Sequence, residues 1–296
     1  MSISMSLTRV ALRARPNRYR TEATMYESAR NDSGDAPIPG SLRRSCIIRR
    51  ESVLGNTVIT LTPKAGATGT HLIYAHGGVY VHSLVSAHWR IIATLIRLSG
   101  VTVTVPLYGL APDHSADDAY PFLQAVYMSV VDRAAGKPVI LAGDSCGGAL
   151  SVGQAIRCRH EDLPAPAALI LFSPWVDASM SNPGIAAIEK RDSMLAPAGL
   201  AAAGRVWAGS RSVADPLISP IHDTLRLMPP IFIYQGGNDI LLPDAKMFAA
   251  KAKEAGNRGA LRIYPAGVHV FVGAGWTPEA RNALRDAAQH IRAATT

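Results

Sequence analysis

The sequence predicts an α/β fold, a mostly parallel central sheet flanked on both faces by helices, with a helical lid. Three observations carry this reading. From about residue 71 onward, short β-branched runs alternate with helix-length amphipathic segments. Strands that alternate with helices pair in parallel, because each crossover helix returns the chain to the same end of the sheet. The tripartite pattern Gly143-x-Ser145-x-Gly147 stands where one strand pattern passes into a helix pattern. Finally, the connection between Trp175 and Asp215 is far longer than a crossover requires.

Taken in order, residues 1–45 lack a strand pattern and end in a turn-rich stretch, Asn31 to Gly40, so they read as helical pieces and loop outside the sheet. Strand-like runs follow at 46–53, 57–61, 71–75, 101–105, 139–142, 168–172, 231–234 and 261–264. Helix-like segments fall at about 86–98, 117–134, 147–159, 243–255 and 277–293. The first runs follow one another without helices between them, which makes the leading edge antiparallel. Within the long connection, 197–207 reads as a helix, and the whole interval reads as an insert above the strand ends. The expected organisation is thus an N-terminal lid segment (1–45), a first core part (46–177), an inserted lid segment (178–214) and a second core part (215–296).

Composition narrows the function classes. The formal charge of +8 invites a nucleic-acid hypothesis, but residues 1–50 hold ten arginines and four acids, 10 − 4 = +6, leaving +2 for the remaining 246 residues. The excess belongs to the leading segment, where a solvated arm or lid edge is the plain reading and attraction to anionic surfaces the sharper one. No helix-turn-helix, zinc-finger or RNP pattern points to nucleic acid. No run of about 18 apolar residues suggests a transmembrane segment, and the arginine-rich start does not read as a secretion signal. Cys46, Cys146 and Cys158 form no CxxC pair and are an odd number, the usage of reduced thiols in a cytoplasmic protein. No HExxH motif or close His/Cys cluster calls for a metal.

The chemistry concentrates at Ser145. A serine lifted onto a tight strand-to-helix turn has a strained backbone, and glycines two residues to either side let neighbouring backbone pass. The helix that follows adds partial positive charge, and the Cys146 amide would face a developing oxyanion. His76-Gly77-Gly78 stands directly after an earlier apolar strand, so the amides of Gly77 and Gly78 could complete an oxyanion hole. There His76 reads as a scaffold residue. A base and its orienting acid should come from other strand ends at the same sheet edge. Asp239 follows the run at 231–234 and His269 the run at 261–264, giving the chain order Ser…Asp…His. His269 would take the Ser145 hydroxyl proton, and Asp239 would hold its tautomer. Asp244 lies near Asp239 but suits the first turn of the next helix.

On these residues the chain resembles the hormone-sensitive-lipase-like, acetyl-esterase branch of the α/β hydrolases. The resemblance covers about residues 70–275 through His76-Gly77-Gly78, Tyr108-Gly-Leu-Ala-Pro-Asp-His114, Gly143-Asp-Ser-Cys-Gly-Gly148, Asp215-Pro-Leu-Ile-Ser-Pro220, Asp239 and His269-Val-Phe271. It implies hydrolysis of short- to medium-chain carboxylic esters through an acyl-enzyme, a small-molecule ester substrate, no cofactor, and a lid built from the N-terminal segment and the insert. Two positions depart from the family. Val79 stands where the loop has a third glycine, and its branched side chain disfavours positive φ. Cys146 replaces the usual alanine, a small change expected to pack without consequence. The same constellation serves lactone and small-amide hydrolysis, and the fold also serves catalytically silent receptors. The oligomeric state, a homodimer included, is left open.

Overall fold

The computed structural model describes residues 2–294. Eight strands form one sheet in the order β1-β2-β4-β3-β5-β6-β7-β8. Strands β1 (Cys46–Val53) and β2 (Asn56–Pro63) make a hairpin. It closes on Leu54 and Gly55, both at positive φ (46° and 82°), as a two-residue type I′ turn demands. β2 runs antiparallel to β4 (Thr102–Pro106). The rest pair in parallel: β3 (His71–Ala75), β5 (Val139–Asp144), β6 (Ala168–Phe172), β7 (Ile231–Gly236) and β8 (Ala260–Tyr264). The expected antiparallel leading edge and parallel remainder are both present.

Among the described residues there are ten α-helices, besides three single-turn 3-10 helices: α1 (Ile3–Arg13), α2 (Glu22–Arg30), α3 (Gly40–Ser45), α4 (Ser86–Ser99), α5 (Ala116–Ala134), α6 (Cys146–His160), α7 (Ala186–Glu189), α8 (Pro197–Ala208), α9 (Leu242–Glu254) and α10 (Pro278–Ala293). Every residue of β4, β5 and β6 is buried, because helices cover both faces. One core layer joins α4 and α10 to the sheet, the other α5, α6 and α9. β6 therefore reads as an unbroken apolar run, Ala-Leu-Ile-Leu-Phe, rather than an alternation.

The leading segment is not a solvated arm. Met5, Ile38 and Leu42 lie in the α4–α10 layer and Met25 in the other, all buried. Helix α2 packs on α8, with the Gly199 amide donating to Tyr19 O at 3.1 Å. Residues 32–36 clamp the loop after β3: Asp32 accepts from the Ser83 amide and hydroxyl, Asp35 from the Leu84 amide at 3.0 Å, and the Ala36 amide donates to Leu84 O at 2.7 Å.

Chain connectivity positions the site. From β3 the chain moves outward to β4, then crosses back to β5 on the other side of β3. The carboxyl ends of β3 and β5 thus lie side by side where the direction of winding reverses, the crevice in which open parallel sheets bind ligands. Helix α6, which follows β5, is seated tightly. A Cβ at Gly153 would come 1.9 Å from the Tyr120 hydroxyl, which donates to Leu217 O at 2.5 Å. Glycine to alanine inside a helix ordinarily stabilises by about 0.5–1 kcal/mol. Gly153→Ala should reverse that sign, costing about 1–3 kcal/mol by overpacking. Tyr120→Phe in the same background should recover part of the loss; thermal melts of the two single variants and the double variant measure the coupling.

Candidate active site

Ser145 closes β5 and opens α6 with φ 54° and ψ −125°, a conformation that side-chain-bearing residues adopt only when their surroundings impose it. The imposing contact is backbone against backbone. A Cβ at Gly147 would stand 2.1 Å from Ala75 O, and one at Gly143 would stand 2.4 Å from the Gly147 carbonyl carbon. The turn is pinned on both sides, with the Ser145 amide donating to Phe172 O and the Trp175 amide to Ser145 O, each at 2.9 Å.

Two further strand ends meet it. The loops after β7 and β8 are laced together, the Gly237 amide donating to Tyr264 O at 2.8 Å and the Asn238 amide to Gly267 O at 2.9 Å. This places His269 between the other two predicted residues: Nε2 lies 3.0 Å from Ser145 Oγ and Nδ1 2.9 Å from Asp239 Oδ2. Asp239 is further held by Gln235 Nε2 at 2.8 Å and by the Leu241 amide at 3.0 Å. With Nδ1–H donating to the carboxylate, Nε2 is left to accept from the serine hydroxyl. Asp244 takes no part; it sits in the first turn of α9 and accepts from Asn182 Nδ2 at 2.7 Å.

A carboxylate that sequence reading missed stands behind this pair. Asp192, in the long insert, accepts from the Met194 and Leu195 amides and, through Oδ2, from the Ile240 amide at 2.9 Å. It is thereby tied to the residue next to Asp239. Burial, then the Asp239 charge, push the Asp192 carboxyl well up. Burial pulls the His269 imidazole down, but the charge and hydrogen bond of Asp239, with Asp192 behind, outweigh it and leave the ring above its ordinary value. Asp192 lies in a stretch with no strand end or motif to mark it, so only the folded chain brings it to the site.

The loop after β3 is set by its carbonyls. His76 Nδ1 donates to Gly77 O at 2.7 Å, and Gly78 O accepts from the Val81 and His82 amides. In a trans peptide the N–H points opposite to the C=O, so these bonds fix where the Gly78 and Val79 amides aim. His76 is the scaffold residue expected of it: burial and neighbouring His88 push its imidazole down to about 4, and Tyr108 stacks on it at 4.5 Å. The expectation for Gly77 is corrected, since its amide donates to Asp144 Oδ1 at 3.2 Å and is spent there. Asp144 also takes the Tyr74 hydroxyl at 2.7 Å and His88 Nε2 at 3.3 Å. Burial raises the Asp144 carboxyl, yet these contacts more than compensate and hold it below the usual range.

The two departures both have consequences. Val79 does adopt positive φ, 58°, as does Tyr80 at 63°, so the branched residue is held in a glycine-like conformation while buried. Nor is Cys146 a neutral replacement: its Sγ accepts the Tyr80 amide at 3.3 Å, with the Tyr108 hydroxyl 3.8 Å away. Burial pushes this thiol up to about 12, which removes it as a nucleophile. Its amide opens α6, among the first N–H groups of a helix that have no intrahelical acceptor.

Residues 72–273 match the family model of the alpha/beta hydrolase fold. An esterase of Acinetobacter venetianus is 30% identical over 230 residues, 76% of each chain. The esterase LipU of Mycobacterium tuberculosis is 30% identical over 273 residues, 86% of this chain and 90% of that one. Among solved structures, a hormone-sensitive lipase from a metagenome library superposes with a TM-score of 0.84 at 26% identity, covering 99% of this chain and 97% of the other. The chain belongs to the α/β-hydrolase fold family, in its hormone-sensitive-lipase-like branch, and is a carboxylic ester hydrolase.

Proposed function

We propose that the protein is a serine carboxylesterase acting on short- to medium-chain acyl esters through Ser145, His269 and Asp239. The observation that carries the proposal is the single imidazole bridging a strained serine and a buried carboxylate at 3.0 and 2.9 Å. In this reading Ser145 Oγ attacks the ester carbonyl carbon as its proton passes to His269 Nε2, and Asp239 stabilises the imidazolium that forms. The oxyanion develops against the Gly78 and Cys146 amides and the N-terminal end of α6. Collapse expels the alcohol with the proton from His269 and leaves an acyl-serine, which water, activated by the same imidazole, then hydrolyses.

Residues 1–45 and 178–214 serve, on this reading, as the cover over the strand ends. What supports it is their mutual packing through α2 and α8, and the stacking of Trp207 on Tyr80 at 4.3 Å beside the loop after β3. That cover and Val79 restrict the acyl side. Small linear esters, acetyl to about hexanoyl, should be the best substrates of a p-nitrophenyl series that includes a lactone and an amide. Val79→Gly removes a branched side chain from a backbone that favours glycine. It should extend the range toward bulkier esters while changing acetyl-ester hydrolysis less; an equal effect on all esters would count against this role.

The proposed roles are tested by a variant series. Ser145→Ala should lose about 10⁴–10⁶-fold in kcat, with His269→Ala nearly as damaging and Asp239→Asn less so. Asp244→Asn should stay close to wild type. A fluorophosphonate should label the peptide containing Ser145 and no other, as read by mass spectrometry.

The pH profile follows from His269. Only the neutral imidazole can take the serine proton, and its pKa is raised, so kcat/KM should rise with pH through a midpoint above the ordinary histidine value of about 6.5. Asp192→Asn removes one of the charges that raise it. The midpoint should then move to lower pH, whereas a purely structural loss would lower the plateau and leave the midpoint in place.

A further inference from the structure

Helix α1 carries apolar side chains on two opposite sides. The inward side, Met5 and Leu12, packs in the layer that contains α4 and α10. At about 100° per residue, Ile3, Leu7, Val10 and Ala11 fall within an arc of about 100° on the outward side. All four are exposed, the three larger ones at 81%, 64% and 65%. Trp276 flanks this strip at 55% exposure, its indole N–H donating to Thr8 Oγ1 at 3.1 Å. The other three tryptophans are buried.

The surround is basic. The first 20 residues contain five arginines and no acid. Among the described residues, Arg13, Arg15 and Arg18 take part in no salt bridge. Arg13 and Arg9 donate to the carbonyls of Lys190 and Arg191, which adds two more exposed cations beside the helix. A contiguous apolar strip at a protein surface marks an interaction site; the charge around it selects the partner.

We propose that α1 and Trp276 form a docking face for an anionic phospholipid bilayer, with the helix lying in the headgroup layer. Such a surface receives apolar side chains below and arginines among its phosphates, and an interfacial tryptophan suits its boundary. A second copy of the chain fits less well. A two-fold contact would bring the same patch of each copy together, and the first 20 residues of either copy offer no acidic side chain to pair with the arginines of the other. Few apolar side chains are involved, so attachment is reversible and depends on the anionic lipid.

The test is co-sedimentation of the full-length protein with vesicles of phosphatidylcholine alone or with about 30 mol % phosphatidylglycerol, alongside Trp276 emission. We expect at least about tenfold tighter binding to the anionic vesicles, a difference of one decade in Kd, and weakening in about 0.5 M salt as the charges are screened. Trp276 emission should shift to the blue, and Trp276→Phe should abolish the shift. Leu7→Glu with Val10→Glu should reduce binding by about tenfold or more, with the far-ultraviolet spectrum and melting temperature of the variant establishing that it is folded. Should the variant not fold, quenching of wild-type Trp276 by brominated phosphatidylglycerol gives the same answer. Equal binding to both vesicle types, no binding, binding indifferent to the double substitution, or self-association through α1 without lipid binding would each overturn the proposal.

Discussion

The contact on which the rest depends is the passage of the Ser145 turn against the end of β3. At Gly147 the backbones leave no room for even one carbon, since it would stand 2.1 Å from Ala75 O and 2.5 Å from His76 O. A residue held at φ 54° costs about 1–3 kcal/mol. The strands on either side supply the compensation through the bonds from Ser145 to Phe172 and from Trp175 back to Ser145. With β5 wedged there, the residues that follow Ala75 must fold over the turn. Gly77 is then close enough for its amide to meet Asp144, and a Cβ on it would stand 2.3 Å from that carboxylate. The serine, the loop that faces it and the carboxylate between them are one mechanical unit.

Three carboxylates stand in or beside this unit, Asp144 and Asp239 buried and Asp192 half-buried, and each is held differently. Asp144 faces the scaffold and is satisfied by a hydroxyl, an amide and His88. The Val85 amide donates to His88 Nδ1 at 2.9 Å, so the ring proton lies on Nε2, toward Asp144. Asp239 faces His269 and is fixed from behind by Gln235 and the Leu241 amide. Asp192 is fixed by three amides, one of them in the same turn as Asp239. Buried charge is costly unless it is hydrogen-bonded, and oriented amides meet that cost without mobile water. Carboxylates anchored in this way act on His269 from set distances, the condition the proposed mechanism requires for stabilising an imidazolium without reorganisation.

The sheet was legible because its strands are short, apolar and bounded by helices; each expected run lies within a residue or two of an observed strand. Ser145, Asp239 and His269 were legible for a related reason: strand ends in a parallel sheet converge, so residues after successive runs come together. What sequence could not show depends on contacts between distant segments. The commitment of the Gly77 amide to Asp144 depends on how closely β3 approaches the turn. Val79 overrides its own preference because the carbonyl of Gly78 is claimed by two amides beyond it. The N-terminal segment reads as a basic arm in composition, yet single apolar residues, Met5 and Met25, place it in both cores. One buried methionine in each helix is too sparse a pattern to distinguish from a solvated helix.

Asp192 also shows how the surface and the site are joined. Arg9 and Arg13 of α1 hold the carbonyl groups of Lys190 and Arg191, and the next residue is Asp192, bonded to the amide beside Asp239. Spatial continuity of this kind is not in itself energetic coupling. Here the last link has electrostatic content, because the Asp192 charge bears on the His269 imidazole as well as on Asp239. A displacement of residues 190–192 would change both the orientation of the Asp239 turn and the field at the base. An insert that folds over a site usually determines which substrates enter. On the proposed reading of residues 178–214 as the cover, this insert also contributes a charge that bears on His269, and α1, the helix that anchors it, carries the exposed apolar strip.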